Sequence, residues 1–257
     1  MNQPVSEFGA PGRPLSIRRE VSPGGGNMGV GPDVAARIQL FASLPAAALG
    51  AVADQMHVRH YRRRMLIFSV GEPVEVITFV LAGTVRIFRD TADGHEQTLQ
   101  LLRDGDTLNL AGVTGDAPYA ASAETVTDCE IGQIRCPDFA AVVRAHGDLA
   151  WALIEDLTRR LRWSQGRIFD FALRSASGRV ASALLQLAER DGKPLPDGRF
   201  ILDMPLTHRE LGQLAGISRE TATRMLQQLR ESDAIRWTED GFVIVDRAKM
   251  GPWLTEV

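Results

Sequence analysis

The stretch Leu206–Ile235, LTHRELGQLAGISRETATRMLQQLRESDAI, decides how the rest of the chain is read. Two apolar runs at helical spacing flank Ala215-Gly216-Ile217. Thr207 can cap a helix from His208 to Leu214, with Glu210 placed to complete a reciprocal capping box. Ser218 can cap a second helix reaching about Glu231. Leu211, Leu214, Ile217, Ala222, Met225, Leu226 and Leu229 fall where they bury the pair against a third helix. Arg219, Glu220, Thr223 and Arg224 are left outward near the start of the second helix. In a helix–turn–helix these positions reach base edges in the major groove. Arginine can bond guanine O6 and N7 together, and a carboxylate can accept from cytosine N4. The bland alternative is a helical hairpin with surface charges, since Arg219, Arg224 and Arg230 against Glu220 and Glu231 leave the second helix nearly neutral.

The surrounding chain narrows the choice. Its 257 residues are enough for one large or two modest domains. It is 44% hydrophobic and 24% charged, a globular composition, and its net charge of −3 leaves room for a local basic face but not for a protein coated in basic charge. Cys129 and Cys136 are the only cysteines, with no CxxC or Cys/His cluster for zinc or iron–sulfur, so no metal site and a cytoplasmic setting are expected. No apolar run reaches the roughly 18 residues of a membrane span, and the first residues lack a signal-peptide core. No membrane partner is expected.

Four regions follow from texture. Residues 1–33 are rich in Pro and Gly and read as a flexible tail. From about 34 to 54 the pattern is helical. Residues 56–135 alternate short β-rich runs with turn signals at Gly71-Glu72, Gly83, Asp93-Gly94 and Gly105-Asp106, which suggests an all-β roll or barrel. With the short helix after it, this gives a domain over 34–146. Residues 147–173 read as one long helix. Ile154, Leu157, Leu161, Ser164, Ile168 and Phe171 step along it by alternate threes and fours, a heptad seam that calls for a parallel partner helix and hence a homodimer. Residues 174–257 form the last unit: the helix at Ser175–Arg190, the two helices of the opening stretch, and a trailing hairpin around Asp240-Gly241 that reads as a wing.

These pieces, in this order, resemble the CRP/FNR transcription regulators over about residues 38–250. The resemblance rests on the roll's glycine turns, on LTRRLR in the long helix, on SGRVASALLQLAE, and on the opening stretch. It implies an α+β fold: an N-terminal cyclic-nucleotide-binding-like antiparallel β-roll, a long dimerisation helix, and a C-terminal winged helix–turn–helix. Arg219-Glu220-xxx-Arg224 is similar to the catabolite-activator branch. That implies a homodimer on double-stranded DNA, reading a TGTGA-like half-site with both arginines on guanine and Glu220 on cytosine. Thr207, Ser218 and Thr221 would hold phosphates, and Thr223 stands where that branch has glycine. RNA polymerase is an implied partner if the protein activates.

In cyclic-AMP-binding members a glutamate, an arginine and a serine hold the ribose and phosphate. Here those positions read Leu110, Tyr119 and Ala120, so cyclic AMP is not expected to bind. Trp163 and Ser164 stand where two polar residues of the long helix meet the nucleobase. An apolar cavity is therefore expected, with an apolar metabolite, or haem and a diatomic gas, as the signal. Constitutive DNA binding is the alternative. Of the histidines, His57 and His60 are possible haem ligands, whereas His95 and His208 read as surface residues. A cupin-type enzyme would need an HxH or HxE metal set that the β region lacks, so no catalytic residues are assigned. An interaction module with a vestigial helix–turn–helix is opposed by the intact Arg219, Glu220 and Arg224.

Overall fold

The computed structural model describes residues 30–90, 96–115, 117–202 and 207–255. Most of the expected tail, the Asp93-Gly94 turn and His95 lie outside them. The segment 34–54 is not continuous helix. It is α1 (Pro32–Ala35), a 3-10 turn (Gln39–Phe41) and α2 (Ala46–Gln55). Pro45, which has no N–H to give to a preceding turn, stands at the N-cap of α2.

The roll follows as β1 (His57–Tyr61), β2 (Leu66–Phe68), β3 (Val76–Ala82), β4 (Val85–Asp90), β5 (Glu96–Leu102), β6 (Thr107–Asn109), β7 (Ser122–Thr125) and β8 (Cys129–Arg135). They form two antiparallel sheets, ordered β1-β8-β3-β6 and β2-β7-β4-β5. Strand β3 (VITFVLA) is buried on both faces through its middle, as a run of apolar residues without alternation demands. Gly83 turns β3 into β4 at φ +99°, where a Cβ would lie 2.4 Å from the Asp128 carbonyl, so no other residue fits without movement.

After α3 (Cys136–Ala145) the chain enters α4 (Gly147–Leu173). Leu149, Ala152 and Leu153 of α4 pack into a core with Phe41, Phe79 and Phe139, which seats the first half of the helix on the roll. Then come α5 (Ala176–Asp191), β9 (Lys193–Pro194), β10 (Phe200–Leu202), α6 (His208–Ala215), α7 (Arg219–Glu231), β11 (Ile235–Trp237), β12 (Val243–Val245) and α8 (Arg247–Thr255). Val180, Leu184 and Leu187 of α5 meet Leu211, Leu214, Met225, Leu226 and Leu229 in one core. The sheet β11-β12-β10-β9 closes it, and Gly241 at φ +84° turns the hairpin. Among the described residues no helix is long and apolar enough to cross a membrane.

Candidate DNA interface and effector cavity

The two reading-head helices are set by their caps. The Thr207 hydroxyl accepts from Glu210 N at 3.2 Å, and the Glu210 carboxylate accepts from Thr207 N at 2.7 Å, so the capping box is complete. Gly216 ends α6 at φ +67°. Ser218 caps α7 by accepting from Thr221 N at 3.2 Å. The faces with Leu211, Leu214, Ala222, Met225, Leu226 and Leu229 are buried, and Ile217 packs against them half-buried. Arg219, Glu220, Thr223 and Arg224 are consequently exposed on one side of α7. The Glu220 carboxyl is held below the usual range by its own backbone N–H, then by the Ser218 hydroxyl and the Arg219 charge. It is an ionised acceptor at neutral pH.

The threonines are less free than the sequence suggests. Thr223 Oγ donates to the Arg219 carbonyl at 2.9 Å and lies 2.9 Å from His208 Nδ1, so its hydroxyl is engaged between the two helices. Thr207 Oγ also donates to Glu210 at 2.9 Å, so a phosphate there must displace a carboxylate. Ser218 and Thr221 bond each other at 3.1 Å.

The reading head is fastened from behind. Arg167 of α4 donates to the Leu214 carbonyl, and Arg179 of α5 donates to the Ala215 carbonyl at 3.0 Å, which satisfies two orphan acceptors at the end of α6. Arg167 is buried, with its guanidinium 4.7 Å from the Phe171 ring and 5.8 Å from the Trp163 ring. Burial lowers its pKa, partly offset by Asp170. Phe171 lies against the turn: a Cβ on Gly216 would come within 2.6 Å of it. Gln97 of β5 donates to the Gln213 carbonyl, so the roll also touches α6. A further buried group joins α4 to α5. Asp170 accepts from Arg174 at 2.5 Å, Ser182 at 2.6 Å and Gln186 at 3.2 Å.

A cavity of about 480 Å³ lies between the roll and α4. Leu110, Tyr119 and Ala120 line it, together with Phe68, Leu108 and, from the long helix, Leu153, Leu157 and Arg160. Tyr119 stacks on Phe68, with centroids 3.8 Å apart and planes 6° apart. Burial above all pushes its phenol up to about 12, so it stays neutral. Trp163 and Ser164 do not line this cavity, contrary to expectation. Leu149, Ala152, Leu153 and Asp156 set the face of α4 that meets the roll, and this places Leu157 and Arg160 at the cavity. Trp163 lies beyond it, half-buried beside Arg167, and Ser164 is exposed. Arg160 was missed because an arginine on a polar helix face reads as solvated. Its signal is the (i, i+4) pair with Asp156, seen at 2.6 Å, and its other end donates to the Thr107 carbonyl at 2.7 Å. Asp156 also holds Arg159 at 2.5 Å.

The lining does not suit haem: among the described residues it holds no His, Cys or Met, and its one tyrosine, Tyr119, is a neutral phenol stacked on Phe68 instead of a tyrosinate free to ligate iron. His57 and His60 are exposed on β1. No group of three potential metal ligands occurs among the described residues. Cys129 is buried and Cys136 half-buried; burial pushes both thiols up, away from the reactive thiolate.

On α4, Ile154, Leu157, Leu161, Ile168 and Phe171 are between 44% and 66% exposed, and Ser164 is exposed beside them. Trp151, Phe169 and Leu173 extend the patch, so this one helix carries eight of the eleven large exposed apolar residues described. Such a patch marks a surface that another molecule covers.

Comparison with known proteins agrees with this architecture. Residues 58–146 match the family model "Cyclic nucleotide-binding domain", and residues 178–251 match "Crp-like helix-turn-helix domain". The chain is 27% identical over 218 residues to the CRP-like cAMP-activated global transcriptional regulator of Mycobacterium tuberculosis strain H37Rv, covering 85% of this chain and 97% of that protein. It is 28% identical over 181 residues to the cAMP-activated global transcriptional regulator CRP of Salmonella typhimurium, covering 70% and 85%. In fold alone it is similar to FixK2 from Bradyrhizobium japonicum, with a TM-score of 0.69, 21% identity, and coverage of 79% of this chain and 98% of that one. The two matched models lie on the roll and on the reading head described above, and the chain belongs to the CRP/FNR family of DNA-binding transcription regulators, which are not enzymes.

Proposed function

We propose that this regulator works in the cytoplasm as a homodimer on a TGTGA-like palindrome and answers to a small apolar effector rather than to cyclic AMP. The carrying observation is the exposed Arg219, Glu220 and Arg224 set on a fully capped α7, with Glu220 ionised. Arg219 and Arg224 take guanines, Glu220 takes a cytosine amine, and Ser218 and Thr221 hold phosphate; Thr207 joins them where its carboxylate partner gives way. Thr223 acts by bracing α6 on α7 through His208 instead of reading a base. The units are a tail over 1–33, a sensing roll over 34–146, a dimerisation helix over 147–173 and a DNA-binding unit over 174–257. RNA polymerase is the further partner if the protein activates.

Arg219→Ala is expected to cost about 1–3 kcal/mol on the matched site, or about five- to 150-fold in Kd. The loss should vanish when its guanine is replaced. Anisotropy with base-substituted duplexes checks this; an equal loss on scrambled DNA reduces Arg219 to a phosphate contact.

The cavity supports the second half of the reading. A cyclic phosphate there would face Leu110, a neutral Tyr119 and Ala120, and the one charged lining residue, Arg160, already serves Asp156 and the Thr107 carbonyl. Titration calorimetry with cyclic AMP should give no saturable heat, and micromolar affinity would overturn the point. An apolar ligand would touch Leu157, which also belongs to the exposed seam, so its arrival bears directly on how two long helices pack. From there Arg167 and Phe171 carry a change in α4 to α6 and the turn before α7.

A further inference from the structure

Arg160 is the one charged side chain among the described residues that line the cavity. A guanidinium carries its N–H donors on three nitrogens. Here Nε donates to Asp156 at 2.6 Å and Nη2 donates to the Thr107 carbonyl at 2.7 Å, while Nη1 has no hydrogen-bond partner among the described residues. Pinned through two nitrogens, the side chain offers its remaining donors with little further ordering.

Its charge, unlike its donors, is already matched. Asp156 is buried and paired with it at 2.6 Å. Arg159 also reaches Asp156, but its side chain is 61% exposed and water screens it. An anionic head group entering the cavity would meet no net positive field, and a cationic one would meet no carboxylate among the described lining residues. Either would bury an uncompensated charge.

The rest of the wall rejects a polar body. Phe68, Ile87, Leu108, Val113 and Leu157 are apolar. The Asn109 amide is engaged at both ends, accepting from Thr78 N at 3.1 Å and donating to the Val76 carbonyl at 3.2 Å. The volume of about 480 Å³ is that of a small-molecule site. We propose that the effector is a neutral, largely apolar molecule with one carbonyl-type oxygen, which accepts from Nη1 of Arg160. This rests on reading the cavity as the effector site, as stated above. Arg160 stands one helical turn after Leu157 of the exposed seam, so the carbonyl ties the ligand to the long helix beside that seam.

The test uses three probes that share one two-ring body: benzophenone, with a neutral carbonyl; diphenylmethane, with no acceptor; and diphenylacetate, with a negative charge. Equilibrium dialysis at neutral pH measures each on the full chain and on the variant Arg160→Met, in which Asp156 keeps Arg159 as a partner. A hydrogen bond from a charged donor should make benzophenone bind about tenfold or more tighter than diphenylmethane. Diphenylacetate should bind more weakly than either. In the variant the preference for benzophenone over diphenylmethane should disappear. Equal wild-type affinities for these two overturn the acceptor contact and leave an apolar effector standing. Tightest binding by diphenylacetate overturns the neutral ligand. A preference that survives in the variant overturns the role of Arg160, by placing the carbonyl on another donor such as the Tyr119 hydroxyl. Failure of all three probes to bind the wild type overturns the apolar-effector reading itself, so the two failures are separable. The wild-type comparison decides between acceptor, no acceptor and anion even where the variant is unstable.

Discussion

Replacing Leu161 and Ile168 together by aspartate is expected to leave a monomer and to weaken binding to a palindromic site by about 100-fold or more. Both side chains are exposed in the single chain, at 59% and 66%, so the folded protomer loses little by the change. In a paired seam each aspartate would be an unpartnered charge between two apolar helices, which is far more costly. The binding loss arises because a dimer engages its second half-site as an intramolecular event, whereas a monomer must hold one half-site alone. Sedimentation equilibrium gives the mass, and anisotropy compares the palindrome with an isolated half-site. A variant that stays dimeric would show that α4 is not the interface.

The second large effect is expected inside the chain. Asp170→Ala removes the one acceptor shared by Arg174, Ser182 and Gln186 and leaves a mostly buried guanidinium with, among the described residues, the Leu254 carbonyl and the Phe169 ring as its remaining partners. Breaking a buried charged pair from one side costs about 3–5 kcal/mol. The cost should appear as a lower urea midpoint with the slope preserved. Because Asp170 binds the end of α4 to α5, the same substitution should loosen the DNA-binding unit from the long helix. A midpoint within error of the wild type would mean that solvent replaces these bonds at no cost.

The reading head was legible in the sequence because its signals are local. A cap residue, its partner three residues later, and a glycine at the left-handed position specify α6, the turn and α7 without help from the rest of the chain. Leu110, Tyr119 and Ala120 could be placed because they sit in one short segment of the roll. Trp163 and Ser164 could not, since which turn of α4 meets the cavity depends on how Leu149 and Leu153 seat the helix on a sheet formed by distant residues. The buried charges Asp156, Arg167 and Asp170 escaped notice for a related reason. In sequence they look like the solvated face of an amphipathic helix, and only tertiary packing turns them into the fastenings between units. The breadth of the apolar patch on α4 was likewise underestimated, because Trp151, Phe169 and Leu173 fall outside a strict heptad.

The most direct test of the base-reading claim is fluorescence anisotropy of the wild-type protein on a TGTGA-N6-TCACA duplex and on a scrambled duplex at one stated salt concentration. The expected result is selective binding to the matched duplex, lost when the guanines of both half-sites are changed. Equal affinity for matched and scrambled duplexes, with an apolar effector present as well as without one, would contradict the assignment of Arg219, Glu220 and Arg224 as the residues that read DNA.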